Sequence, residues 1–187
     1  MNLPELFRTR RTVHAYEAER PLPEGALDRA LEAAHWAPNH RFTYPWRFTL
    51  VGPETRAKLV EIAAEVKARK LGKALGPEAG AKLQAKIMNP SALIVLRQVL
   101  HDDPSTREED YASLACAAQN AMLSLWAEGI STKWGSGGVT RDPATYALLG
   151  VDPGRERIVG FLWVGYPAKA PSPPERPPLE EHVQSLP

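Results

Sequence analysis

Arg8, Arg10 and Arg11 fall within one short stretch, with Thr9 and Thr12 beside them. Guanidinium groups offer planar, doubly donating forks, and a neighbouring hydroxyl supplies one contact more. That combination suits a phosphate monoester. A short basic run is also a common form of solvated surface. Here the run passes at once into Thr12-Val13-His14-Ala15-Tyr16, an extended segment that would hold the arginines in one geometry. No other phosphate cradle is present. Gly135-Ser136-Gly137-Gly138 lacks the spacing of a dinucleotide fingerprint and has no Lys before a Ser or Thr.

Two further segments have residues suited to a site. Ala37-Pro38-Asn39-His40 ends a helix and leads through a proline-bracketed loop to Trp46. It reads either as an ordinary helix–strand connection with Trp46 in the core, or as a place where Asn39 and His40 present polar groups at one end of a sheet. Trp134-Gly135-Ser136-Gly137-Gly138 is either a plain turn or a place where backbone N–H groups approach a flat ligand. Other chemistries fail. The five histidines show no zinc spacing with Cys116, so no metal site is expected. No Gly-x-Ser-x-Gly elbow exists. Cys116 sits within an apolar helix and reads as packing rather than as a nucleophile.

The elements that must position these groups follow from periodicity. Asn2 caps a short helix with Pro4 and Glu5 in its first turn. A second helix begins near residue 24, and Pro38 stops it. Residues 46–52 alternate as a strand. Pro53 opens a third helix, and residues 78–88 give a fourth. Residues 92–99 read as a buried strand and 101–107 as a polar loop. A long helix over 111–128 is apolar almost all round, which places it at the centre or at a subunit interface. Residues 130–134 form a short strand, Asp142-Pro143 starts a helix that Gly150 closes, and 157–165 form the last strand. The proline-rich tail 166–187 is expected to be extended and non-helical, lying over a surface or a partner. The pattern gives one domain over 1–187: an α+β sheet flanked by helices.

Composition narrows the function classes. With 23 basic and 22 acidic residues the net charge is +1, too balanced for a broad field toward nucleic acid or an anionic membrane. The longest apolar runs are far short of the roughly 20 residues of a membrane helix. The arginines interrupt any N-terminal signal segment, and a single cysteine excludes an intrachain disulfide. A cytoplasmic protein is expected.

Taken in order, Arg10-Arg11-Thr12, Ala37-Pro38-Asn39-His40, Pro45-Trp46-Arg47-Phe48, the long helix ending at Gly129, and the final strand running into Gly165-Tyr166-Pro167 resemble the nitroreductase family of flavoproteins. His40 and Trp134-Gly135-Ser136-Gly137 match its short, compact subgroup. The resemblance spans nearly the whole chain. It implies an α/β sandwich with a central mixed sheet, built as an intertwined homodimer, with FMN in two interface sites. By the same likeness Arg10, Arg11 and Thr12 hold the phosphate and ribityl end. Trp36 and His40 reach the flavin from the other subunit, and Trp134, Gly135 and Ser136 line its ring system. Lys169 is a possible further phosphate contact. The implied reaction is ping-pong hydride transfer from NADH or NADPH through the flavin to a small acceptor such as a nitroaromatic or quinone, with no catalytic side chain required. A flavin-binding protein with little turnover, another flavin-dependent dehydrogenation and a plain nucleotide-binding module remain as alternatives. Phe42 stands where many members carry Asn, and His14 where Lys or Arg is common.

Overall fold

The computed structural model describes residues 2–172 and 175–187; Pro173 and Pro174, read as part of the extended tail, lie outside the described residues. Strands β2 (Ala92–Val99) and β4 (Glu156–Gly165) bury side chains on both faces. Strands without a polar side must be covered above and below. They occupy the middle of a sheet ordered β1-β2-β4-β3, with β1 (Trp46–Leu50) and β3 (Ser131–Gly135) at the edges.

All three pairings are antiparallel. The mixed sheet implied by the resemblance is therefore antiparallel among its four strands, and among the described residues parallel pairing is confined to an isolated bridge between Thr12 and Thr132. The reason is visible between β1 and β2. Two successive helices, α3 (Pro53–Leu71) and α4 (Pro77–Met88), carry the chain away and back, so β2 starts where β1 ended. Each helix opens on a proline in its first turn, where no N–H is needed, and Gly72 (φ 66°) closes α3 in the left-handed region.

Helices α2 (Ala26–His35) and α5 (Pro104–Ala127) cover one face. Ala26, Ala30 and Ala34 share a core with Ala117, Ala118 and Ala121, above Ile94, Leu96, Leu162 and Val164. Helix α5 starts well before residue 111. The Asp103 carboxylate accepts from both the backbone N–H and the hydroxyl of Thr106, each at 2.7 Å, and Pro104 takes the first turn. The stretch 101–107 read as a loop thus contains the first turn of this helix; Asp103-Pro104 was its signal. Cys116 points away from the buried stripe and is exposed in the single chain, contrary to the packing role expected of it.

The other face is covered by α3, α4 and α6 (Pro143–Leu149). Leu59, Ala63 and Ile87 pack on Leu93, Val95, Phe161 and Trp163. Ile87 is the one buried residue of α4. Its last turn is held by Arg56, whose guanidinium donates to the carbonyls of Ile87, Met88 and Pro90, the latter two at 2.7 Å. Helix α1 (Leu3–Thr9) is capped by Asn2, whose side chain accepts from Glu5 N–H at 3.0 Å. The tail returns against the N-terminal segment: Glu17 N–H donates to Tyr166 O at 2.9 Å, and Ala168 N–H to Ala15 O at 3.0 Å. Farther on, the tail forms one 3-10 turn, Leu179–His182. Its prolines exclude an α-helix but permit a single turn that starts just after Pro178. Among the described residues, no helix is long and apolar enough to cross a membrane.

Candidate functional site

Residues 10–14 lie along the free edge of β3. Val13 N–H donates to Thr132 O at 3.1 Å, and Thr12 bridges Thr132 in the parallel sense. Because the two segments run the same way, Arg10 and Arg11 fall beside the start of β3, while Trp134, Gly135 and Ser136 lie at its far end. From Thr132 to Ser136 the chain advances about 13 Å at strand rise. The first and third sequence groups are thus brought together as the two ends of one strip.

The strip is positively charged. Arg10 and Arg11 are half-buried. Burial, with Arg11 and then Arg176 nearby, holds the Arg10 guanidinium below its usual pKa. Arg11 Nη1 donates to Arg10 O at 2.7 Å, and Arg11 Nε is buried without a hydrogen-bond partner. Midway along, Lys133 Nζ lies 2.9 Å from His14 Nδ1. Burial, followed by the charge of Lys86, pushes Lys133 down as well. Among the described residues, no carboxylate pairs with Arg10, Arg11, Lys86 or Lys133. Half-buried cations such as Arg10 and Lys133, held down by burial and by neighbouring positive charge without a counter-ion, would be relieved by a bound anion. Arg8, at the end of α1, is exposed, and so is Lys169.

The far end of the strip depends on a glycine. A Cβ on Gly160 would stand 2.2 Å from Trp134 Nε1 and 3.0 Å from Gly135 O. Trp134 is therefore seated over the bare backbone of β4, and its partly buried ring packs against the α2/α5 core. Beyond Gly135 the chain passes through Ser136 into a 3-10 turn, Gly138–Arg141.

The second sequence group does not join this strip within one chain. Trp36 and His40 are exposed, and no hydrogen bond or ring contact among the described residues links them to 10–12 or 134–136. Asn39 fastens its own loop instead. Its amide donates to Thr43 Oγ1 at 3.1 Å and Ser113 Oγ at 3.2 Å, and its carbonyl accepts from Tyr44 N–H at 2.8 Å. The Thr43 hydroxyl in turn donates to Asp110. These bonds hold Phe42 and Tyr44 at φ 54° and 47°, a region costly for side-chain-bearing residues. Trp46 is buried, with its Nε1 donating to His35 Nδ1 at 3.2 Å, so the core reading of that tryptophan holds.

Lys86, Lys133 and Arg176 were missed from the sequence. A lysine between Thr132 and Trp134 in a short strand was the available signal for Lys133. Lys86 reads simply as a basic residue in a helix's last turn.

Comparison with known proteins agrees with this architecture. The YfhC protein of Bacillus subtilis, which has a provisional NAD(P)H nitroreductase name, is 30% identical over 190 residues, covering 98% of this chain and 94% of that protein. A crystal structure of a nitroreductase-like family protein from Bacillus cereus superposes with a TM-score of 0.85 at 29% identity, covering 100% of this chain and 96% of that one. A Desulfovibrio desulfuricans protein solved in complex with FMN has the same fold, with a TM-score of 0.74 at 22% identity, covering 100% of this chain and 98% of that one. Residues 7–166 match the sequence profile described as the nitroreductase family, a span that takes in the basic strip, all four strands and the Trp134 turn: the chain belongs to the nitroreductase family.

Proposed function

We propose that this chain binds FMN along the β3 edge and acts as an oxidoreductase that passes hydride from NADH or NADPH to a small acceptor such as a nitroaromatic or a quinone. The observation that carries this reading is the buried, unpartnered Nε of Arg11 beside the uncompensated charge of Arg10. An anionic phosphate would satisfy both, so the residues present fit the cofactor. The similar Desulfovibrio desulfuricans structure was solved with FMN, which supports the same choice.

Arg10, Arg11 and Thr12 would grip the phosphate, with Arg176 close enough to add its charge. Trp134, Gly135 and Ser136 would line the ring system. When bound, FMN supplies the two-electron chemistry, accepting hydride from the nicotinamide and yielding two electrons to the acceptor. Lys133, backed by Lys86, provides positive charge midway along the strip, suited to an anionic ring edge. The residues' work is binding, orientation and charge stabilisation, and no side chain is assigned a proton-transfer role.

The working form is a homodimer in this reading. Trp36 and Phe42 are 79% and 75% exposed, a costly state for large aromatic side chains unless a second copy covers them. The outer face of α5 presents the small residues Ala112, Ala115 and Cys116, which would let a second helix approach closely. Trp36 and His40 would then reach the partner's flavin. The purified protein should be yellow, oxidise NADH or NADPH steadily with a quinone present, and sediment near twice 20.6 kDa. A yellow protein without turnover would reduce the reading to flavin binding, and a colourless one that takes up no FMN would remove it. Its single cysteine, which can form no intrachain disulfide, suits a reducing, cytoplasmic setting.

The charge of Lys133 gives a pH signature. In the flavin-free protein burial and Lys86 hold its pKa below the ordinary lysine value. A bound anion favours the charged form and moves it back up. Binding therefore takes up a proton between the two values, and FMN affinity falls as pH rises through that interval. Fluorescence titrations of FMN across alkaline pH should show this decline in the wild type and a weaker one in Lys133→Met. Equal slopes would remove Lys133 from the site.

A further inference from the structure

Strand β3 stops at Gly135, opposite Phe161, whereas β4 extends back to Glu156. The chain leaves the sheet there for the 3-10 turn and α6, so the early half of β4, paired with β2 on one edge, has no strand on its β3 edge. A cavity of about 960 Å³ fills that space. Arg157, Ile158 and Val159 line it from the sheet, Arg107 and Tyr111 from α5, and Tyr146 from α6. Ser136 is also in its lining, and a smaller space of about 310 Å³ links Ser136 and Tyr111 to Trp134. The cavity therefore adjoins the end of the strip that the proposed function gives to the flavin ring.

Its walls combine flat apolar surface with unneutralised positive charge. Tyr111, Tyr146 and three prolines, Pro104, Pro143 and Pro153, supply the surface. Tyr146 is fixed by accepting Ile158 N–H at 2.9 Å. Arg107, Arg141 and Arg157 face a single lining carboxylate, Glu108, and none of the three forms an ion pair among the described residues. The partners they do have are neutral. Arg157 Nη2 donates to Gln98 Oε1 at 2.7 Å, and its guanidinium lies 4.9 Å from the centre of the Tyr111 ring. Gln98 is fully buried and also donates to Arg107 O at 2.7 Å. One buried amide thus fixes both a guanidinium and the start of α5. Arg107 itself donates to His101 O. A fixed, unpaired guanidinium beside aromatic rings is a recognition arrangement for a planar anion.

We infer that this cavity binds a planar aromatic ring carrying an anionic group, the ring against Tyr111 and Tyr146 and the anion on Arg157 and Arg141. The inference rests on the proposed function for its two sources of such a ligand. One is an electron acceptor bearing a carboxylate. The other is the reductant, whose adenosine carries an extra phosphate in NADPH.

Titration calorimetry on the protein as purified, with 4-nitrobenzoate and its methyl ester, separates charge from ring. The acid should bind at least about tenfold more tightly than the ester, and Arg141→Gln and Arg157→Gln should each cut that ratio about tenfold. In steady-state assays the same variants should lower the acid-over-ester ratio of kcat/KM alike. Should the NADPH-over-NADH ratio fall instead, with the acid-over-ester ratio flat, the anion bound is the phosphate of the reductant. If both ratios stay within about twofold in both variants, the inference is overturned. Because the calorimetry needs no turnover, a colourless protein that still prefers the acid would sink the flavin reading and leave the cavity standing. A yellow, active protein with flat ratios would do the reverse.

Discussion

Arg11→Ala is expected to raise the FMN dissociation constant about tenfold to a hundredfold while leaving the flavin-free protein no less stable. The two halves of this result have opposite physical origins. In the complex, a charge-assisted contact worth about 1.5–3 kcal/mol disappears. In the free protein, Arg11 has a buried Nε with no partner and lowers the charge affinity of Arg10 beside it. Removing it ends both penalties at the loss of one hydrogen bond to Arg10 O. Arg11→Lys should fall between, since it restores charge without the fork. Arg8→Ala, at an exposed position one helix turn earlier, should change neither property. Flavin fluorescence titration and a thermal melt of the stripped protein measure the pair. A variant that melts early but retains its flavin affinity would mean that Arg11 is structural.

Gly160→Ala should cost about 2–3 kcal/mol and lower the melting temperature by about 4–12 °C, with weakened FMN binding as a consequence. The added methyl would meet Trp134 Nε1 at 2.2 Å and the carbonyl of Gly135 at 3.0 Å. The tryptophan ring can turn away, but the Gly135 backbone is paired in β3 opposite Phe161 and cannot yield freely. Both routes disturb the residues proposed to line the ring system. Combining the substitution with Trp134→Leu should recover part of the lost stability, because the smaller side chain vacates the contested space. Additive losses in the double variant, or an unchanged melting temperature in the single one, would show that Trp134 does not sit over Gly160.

Most elements were legible because short-range chemistry marks their ends. Asn2, the prolines at 53, 77 and 143, and the glycines at 72 and 150 stand where chain geometry requires a cap, a first turn or a left-handed exit. The two central strands were readable from their unbroken apolar character. What failed was of two kinds. Asp103-Pro104 has the same helix-start chemistry, but the charged residues around it resemble a loop. The mixed sheet implied by the resemblance gave way to antiparallel pairing among the four strands, because strand direction depends on where the intervening helices return the chain, which local residue patterns do not set. The site divided along the same line. The arginine cluster and the Trp134 turn were visible as local motifs. The Lys133–His14 contact exists only because residue 12 pairs beside residue 132, a register that no local pattern specifies. Trp36 and His40 lie apart from the strip within one chain, because the loop that carries them is fastened to α5 through Asn39 and Ser113.

The uneven anchoring of α4 has a mechanical consequence. Its front two turns are mostly in water, while its last turn is clamped to the body by the carbonyls that Arg56 collects. Displacement of the helix is therefore expected to be smallest near Ile87 and to grow toward Gly76, a gradient that amide exchange along α4 would read. Lys86, next to Ile87 at the clamped end, is placed to keep its charge near Lys133 under such motion.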